Sequence, residues 1–292
     1  MPLAIRSLIL DVERVGERLI AVGERGHILI SDDGRSFTQV VAPVRSTLTA
    51  VAPAGGSILA VGHDGVILES ADRGTSWTLT FSAPDEERPL LDVARLGERT
   101  VLAVGAYGWL LRSEDGGATW SGRLIDGDEP HLNGIAKGDG GALLIGAEFG
   151  LTFLSRDGGR TFERHELPYR GSFFGALRLE AAWLVFGLGG RVFRKEDNEP
   201  GWRRIEIPGE PTLLAGLRLK DGRIVLGGLD GTLLVSGDGR RFELLRDPDR
   251  LGITALEELD DGSLLLAGEG GLRRMSDLDD PSTIEPVAAP HL

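Results

Sequence analysis

The side chains able to do chemistry in this chain are spread along it, and their spacing limits what they can be. Only two tyrosines occur, Tyr107 and Tyr169. A glycosidase using a tyrosine nucleophile needs a carboxylic acid beside it and arginines around the substrate carboxylate. Tyr107 has no acid within six residues on either side, and Ile5-Arg6-Ser7 is a poor version of the arginine motif such enzymes carry. A mechanism using two carboxylates, for instance Asp64 and Asp230, gains nothing from numbers alone in a chain with 45 acidic residues. His27, His63, His131, His165 and His291 show no metal-ligand spacing, and neither a Gly-x-Ser-x-Gly elbow nor a phosphate-cradling Gly-x-x-x-x-Gly-Lys-Ser/Thr run is present. The expectation is no catalytic residue, no metal and no cofactor.

The most regular acids lie in a Ser-x-Asp-x-Gly-x-Thr/Ser-aromatic motif. Three copies are intact: Ser70-Asp72-Gly74-Ser76-Trp77, Ser113-Asp115-Gly117-Thr119-Trp120 and Ser155-Asp157-Gly159-Thr161-Phe162. Shorter forms surround Asp33 and Asp238, a fifth keeps Asp197, Gly201 and Trp202, and a seventh keeps little beyond Ser276 and Asp277. A carboxylate in a glycine-rich turn is either a Ca²⁺ ligand or catalytic acid, or an acceptor for backbone N–H groups that fastens a hairpin. Equivalent carboxylates about 41 residues apart cannot converge on one substrate, so the structural role is expected, with Trp77, Trp120 and Phe162 buried against the sheet.

These motifs need a repeated scaffold, and the repeat is plain. Gly23-Glu24-Arg25-Gly26, Gly62-His63-Asp64-Gly65 and Gly105-Ala106-Tyr107-Gly108 are copies of one unit, with weaker copies closing at Gly150, Gly190, Gly231 and Gly271. The steps between closing glycines are 39 to 43 residues, and a proline follows each copy in phase: Pro43, Pro84, Pro130, Pro168, Pro208, Pro248 and Pro290. Within a unit the apolar residues alternate or form short runs between turn residues, which is the period of strands. Four short strands per unit, seven times, predict an all-β, seven-bladed β-propeller of four-stranded antiparallel blades. The expected blades in this single domain, 1–292, are roughly 7–43, 44–84, 85–130, 131–168, 169–208, 209–248 and 249–290. Ile284 to Val287 should complete blade 7, with Leu3 to Arg6 as an additional clasp.

The net charge of −13 argues against sequence-independent binding to nucleic acid or anionic lipid, and no apolar run reaches the length of a membrane span. Without cysteine, disulfides and thiolate metal sites are excluded.

The motif around Asp72, Asp115 and Asp157 resembles the bacterial neuraminidase (Asp-box) repeat. A closer resemblance, over nearly the whole chain, is to propellers of the photosystem II assembly or stability factor family, in its non-photosynthetic branch. It rests on Val61-Gly62-His63-Asp64-Gly65-Val66-Ile67-Leu68, Val104-Gly105-Ala106-Tyr107-Gly108, His131-Leu132-Asn133-Gly134-Ile135 and Pro168-Tyr169-Arg170-Gly171-Ser172-Phe173-Phe174-Gly175. The resemblance implies a non-catalytic protein-binding propeller serving as an assembly or accessory factor for a membrane protein complex or exporter. It also implies a periplasmic or otherwise exported protein, although the opening Met1-Pro2-Leu3-Ala4-Ile5-Arg6 is no signal peptide, so export requires one already removed and the cytoplasm is the alternative.

In a propeller the turns between second and third strands share one face with the loops leading into each inner strand. That face should bind the partner through Arg25, His63, Asp64, Tyr107, His131, Asn133, Glu148, Phe149, Tyr169, Arg170, Phe173 and Asp230. Phe173 and Phe174 cannot both point to one side of a strand; one of them lining the channel mouth and burial between blades are equal expectations. A monomer is expected. The alternative reading is a glycan-acting propeller, hydrolase or lectin.

Overall fold

A computed structural model describes residues 4–288. It is an all-β, seven-bladed propeller: seven four-stranded antiparallel sheets, each made of four consecutive strands. Their inner strands are Ile9–Val15, Leu48–Ala54, Leu90–Arg95, Leu132–Lys137, Phe173–Arg178, Leu213–Arg218 and Ile253–Glu258. Each packs against the next, and the seventh packs against the first.

Burial follows from that ring. The two middle strands of a blade have a neighbour on both faces and read as continuous apolar runs, as in the fully buried Leu102, Ala103 and Val104. Outer strands meet solvent, and Ser121–Leu124 is exposed throughout. The core is therefore a set of layers between blades. One layer combines Ile20, Val22 and Ile28 of blade 1 with Leu48, Val51, Leu68 and Trp77 of blade 2. Another joins blade 7 to blade 1 through Leu265, Ala267, Ile9 and Leu29.

Six inner strands carry a register shift at one place, and blade 3 has its own at the same site, so one residue per blade stands out of the ladder. The residues preceding it, Ile9, Leu48, Leu90, Leu132, Phe173, Leu213 and Ile253, have no exposed surface. The residues at the shift, Leu10, Thr49, Leu91, Asn133, Phe174, Leu214 and Thr254, line a central channel of about 750 Å³.

The channel wall also carries a belt of bonds between blades. Asp11 accepts from the Val51 N–H at 2.8 Å and Asp92 from the Ile135 N–H at 2.6 Å. Thr49 donates to the Leu90 carbonyl at 2.9 Å, Asn133 to that of Phe173 at 2.9 Å, and Thr254 to that of Ile9 at 2.6 Å, the last closing the ring. Burial raises the Asp11 carboxyl to about 6 and the Asp92 carboxyl to about 7, although both accept backbone N–H bonds. Glu13, lacking such bonds, is pushed to about 8, chiefly by burial and then by the neighbouring Asp11.

The aspartate turns take the structural role. Asp72 accepts the Ser76 N–H at 2.8 Å and its hydroxyl at 2.6 Å, and Asp115 and Asp157 do the same with Thr119 and Thr161. In the shorter turns Asp33 takes the N–H groups of Arg35 and Ser36, and Asp238 those of Arg240 and Arg241. These bonds hold the carboxyls below the usual aspartate range, Asp115 at about 2. Trp77 is buried and donates to the Gly74 carbonyl at 3.0 Å, whereas Trp120 and Phe162 are half-buried. The turn also serves the ring: a Cβ on Gly159 would lie 2.5 Å from Leu102 of the preceding blade, so the motif glycine is where that blade docks.

Blade 7 is completed by Ile284–Pro286. The expected clasp differs in form. Ala4–Arg6 is a single 3-10 turn, with Ala4 and Ile5 buried against the strand Gly271–Met275, while Leu3 and Pro290 lie outside the described residues. No strand forms there because blade 7 already has its four strands, and Ala288 instead makes one parallel bridge to Ser36 of blade 1.

Candidate functional site

The aspartate turns cover one face of the ring, and the opposite face presents the tips between second and third strands. Each tip is a short 3-10 turn or bend closed by a glycine at positive φ. That glycine is required by space as well as by φ: a Cβ on Gly150 would lie 1.8 Å from the Tyr169 carbonyl, and one on Gly271 would lie 1.9 Å from that of Ile5. The closing glycine is thus where each tip rests on the loop leading into the following blade.

The residue before it is free of that constraint. In blades 5 and 7 it is Gly189 and Gly270, but in the other five it is Arg25, Asp64, Tyr107, Phe149 and Asp230, all with φ between 57° and 60°. Left-handed backbone costs a bulky side chain roughly 1–3 kcal/mol. Tyr107 and Phe149 are nevertheless 47% and 50% exposed, so burial does not offset the strain. Leu188 and Leu229, at the neighbouring position of blades 5 and 6, are 46% and 42% exposed. Four consecutive blades therefore hold apolar side chains into solvent on one face, while blades 7, 1 and 2 present Glu269, Glu24, Arg25, His63 and Asp64.

The other expected residues have identifiable partners. The Tyr107 ring meets His131 edge-on at 4.9 Å, and Glu148 accepts the His131 N–H at 3.1 Å. Asp64 accepts from Ser46 at 2.6 Å. Asp230 is bracketed by Arg246 and Arg250, whose guanidinium groups lower its pKa, Arg250 contributing most. Tyr169 is half-buried, donates to the Leu188 carbonyl at 2.8 Å and packs on Phe173 at 5.3 Å. Arg170, Arg25 and His63 are exposed. Asn133 faces the channel and is used in the interblade bond to Phe173.

Phe173 cannot act as a contact residue. It occupies the buried position before the shift in blade 5, packed between Tyr169 and Phe193, while Phe174 takes the channel position. Aligning the seven repeats would have revealed this, since the same position holds Ile or Leu in every other blade.

One feature of this face has no motif. Three residues before each fully buried inner-strand residue stands an exposed charge: Arg6, Arg45, Glu87, Glu129, Arg170, Glu210 and Arg250. They form a ring of alternating sign sectors around the tips.

Known structures share this architecture. A structure described as YCF48 bound to D1 peptide has a TM-score of 0.74 at 18% identity, covering 92% of this chain and 91% of that one. YCF48 from Cyanidioschyzon merolae gives 0.74 at 16% identity, covering 91% and 94%. The WD40 β-propeller domain of Doa1 gives 0.73 at 11% identity, covering 92% of each chain. These likenesses establish the propeller fold. No family model and no curated protein sequence matches the chain.

Proposed function

We propose that this chain is a non-catalytic propeller that binds a protein partner through its tip face, as an assembly or accessory factor for a membrane protein complex or exporter. In this reading it works as a monomer in the periplasm or another exported compartment. The observation that carries the reading is the placement of Tyr107 and Phe149, bulky, left-handed and half exposed at positions where blade 5 is served by glycine. Both sit on strained backbone and hold about half of their surface in water, and exposed aromatic groups are what a protein interface uses. A neighbour of the same fold described in complex with a peptide is consistent with this use of the scaffold. Asp230, held ionised between two arginines, is unsuited to act as a general acid, so the candidate carboxylate pair does not favour the glycan-acting alternative.

The test is affinity capture from a membrane extract of the source organism with the wild-type chain and a Tyr107→Ser, Phe149→Ser double variant. Tyr169 is left intact because it supports Phe173 and Leu188. Capture of a membrane complex by the wild type and its loss in the variant is the expected result. Equal capture by both would remove the tip face from the function.

A further inference from the structure

The tip of blade 3 sits between two lead-in loops. Ala106 donates its N–H to the Pro89 carbonyl at 3.0 Å on one side, and Gly108 donates to the Pro130 carbonyl at 2.8 Å on the other. Glu87 lies two residues before Pro89, and Glu129 immediately precedes Pro130. Both glutamates are exposed, both are held at φ 49°, and neither side chain has an ion-pair partner among the described residues. They occupy the same place in successive blades, where the flanking blades 2 and 5 carry Arg45 and Arg170 instead. Asp85, also exposed and without an ion-pair partner among the described residues, is a third acid in the Glu87 loop. Tyr107 stands between the two glutamates, and Phe149 is the next tip along the ring.

We infer that the sector of blades 3 and 4 is a receptor for a basic side chain, arginine or lysine, on an apolar segment of the protein partner, with Tyr107 and Phe149 as aromatic walls and Glu87 and Glu129 as counter-charges. This deepens the tip-face reading and rests on it. The chemistry follows from the parts: an aromatic face attracts a cation, and carboxylates alongside add charge complementarity and steer its approach. The apolar tips Leu188 and Leu229 then continue the contact on the side away from the acids. An acidic partner segment would meet repulsion at Glu87 and Glu129, so the sector also discriminates.

Fluorescence anisotropy with two labelled decapeptides tests this, one alternating leucine and arginine, the other leucine and glutamate. Binding of the arginine peptide should be at least about tenfold tighter. A Glu87→Gln, Glu129→Gln double variant should lose about tenfold or more of that affinity, and Tyr107→Ser, Phe149→Ser a similar amount. The control is Glu24→Gln, Glu269→Gln, which removes the same charge from blades 1 and 7 of the same face and should change affinity less than about twofold. Equal binding of the two peptides, or equal losses in the two charge variants, would overturn the inference, the latter by showing only the pull of a chain of net charge −13. If Glu87→Gln, Glu129→Gln captures the membrane partner as well as wild type while Tyr107→Ser, Phe149→Ser does not, the basic-ligand inference fails and the tip-face reading stands.

Discussion

The two faces of the ring solve opposite problems with the same backbone. On the aspartate-turn face the motif side chains serve the fold: in five blades a serine and a carboxylate take N–H groups of the turn, and the motif glycine receives the blade before it. On the tip face the closing glycine does the docking, and the residue before it takes no part in that contact. In those five blades the first face repeats one device. The second varies from blade to blade, and the proposed partner site rests on that contrast.

Neighbouring residues of one tip offer the sharpest way to break that contrast. Gly150→Val should destabilise the fold by more than about 3 kcal/mol in chemical denaturation, because its side chain would meet the Tyr169 carbonyl and its backbone is left-handed. Phe149→Gly, one residue earlier, should leave the melting temperature unchanged or higher. If the two variants were equally damaging, the tip would be structural throughout.

The channel that joins the faces predicts a pH response. Asp11, Glu13 and Asp92 have folded pKa values raised to about 6, 8 and 7 from ordinary values of 3.8, 4.5 and 3.8. Raised carboxyls stabilise the fold fully below the unfolded values and lose that contribution as pH rises through the folded ones. The melting temperature should therefore fall between about pH 5 and 8, and Glu13→Gln should flatten the slope. The aspartate turns act in the opposite sense, their stability being present above the unfolded value and lost toward about pH 2, where Asp115 titrates. Thermal melts across the range should show a maximum on the acid side of neutrality.

Within the stapled face, Ser113→Ala strands the buried Gly117 N–H and should cost about 1–3 kcal/mol. Asp115→Ala should lower the melting temperature while leaving partner capture intact. The smallest effect is expected from Tyr169→Phe, which removes one partly exposed bond to Leu188 and should cost about 0.5–1.5 kcal/mol, read by denaturant titration, with no change in capture.

The blade count, strand order and aspartate turns were legible because each is written locally, in a glycine, a proline or a carboxylate with neighbours a few residues away. The belt of Asp11, Thr49, Asp92, Asn133 and Thr254 was not, since the bond that matters in each case goes to the following blade, far along the chain. The buried pair of Arg273 and Asp247, which fastens blade 7 to blade 6, is illegible for the same reason. Phe173 was misassigned because alternation says that two successive side chains diverge, without saying which one faces the core. The ring of charges running from Arg6 to Arg250 emerges only once the inner-strand shift fixes how the repeats align.

Among the described residues no blade combines strands from the two ends of the chain; each sheet is built from one uninterrupted stretch. The junction of blades 7 and 1, held by Thr254, the Ala4–Arg6 turn and the bridge from Ala288 to Ser36, is thus a joint of the same kind as the other six. Circular permutants opened at any other lead-in loop, with the present ends linked across that joint, would retain all seven sheets, and the molecule is in this sense a belt whose buckle can be moved.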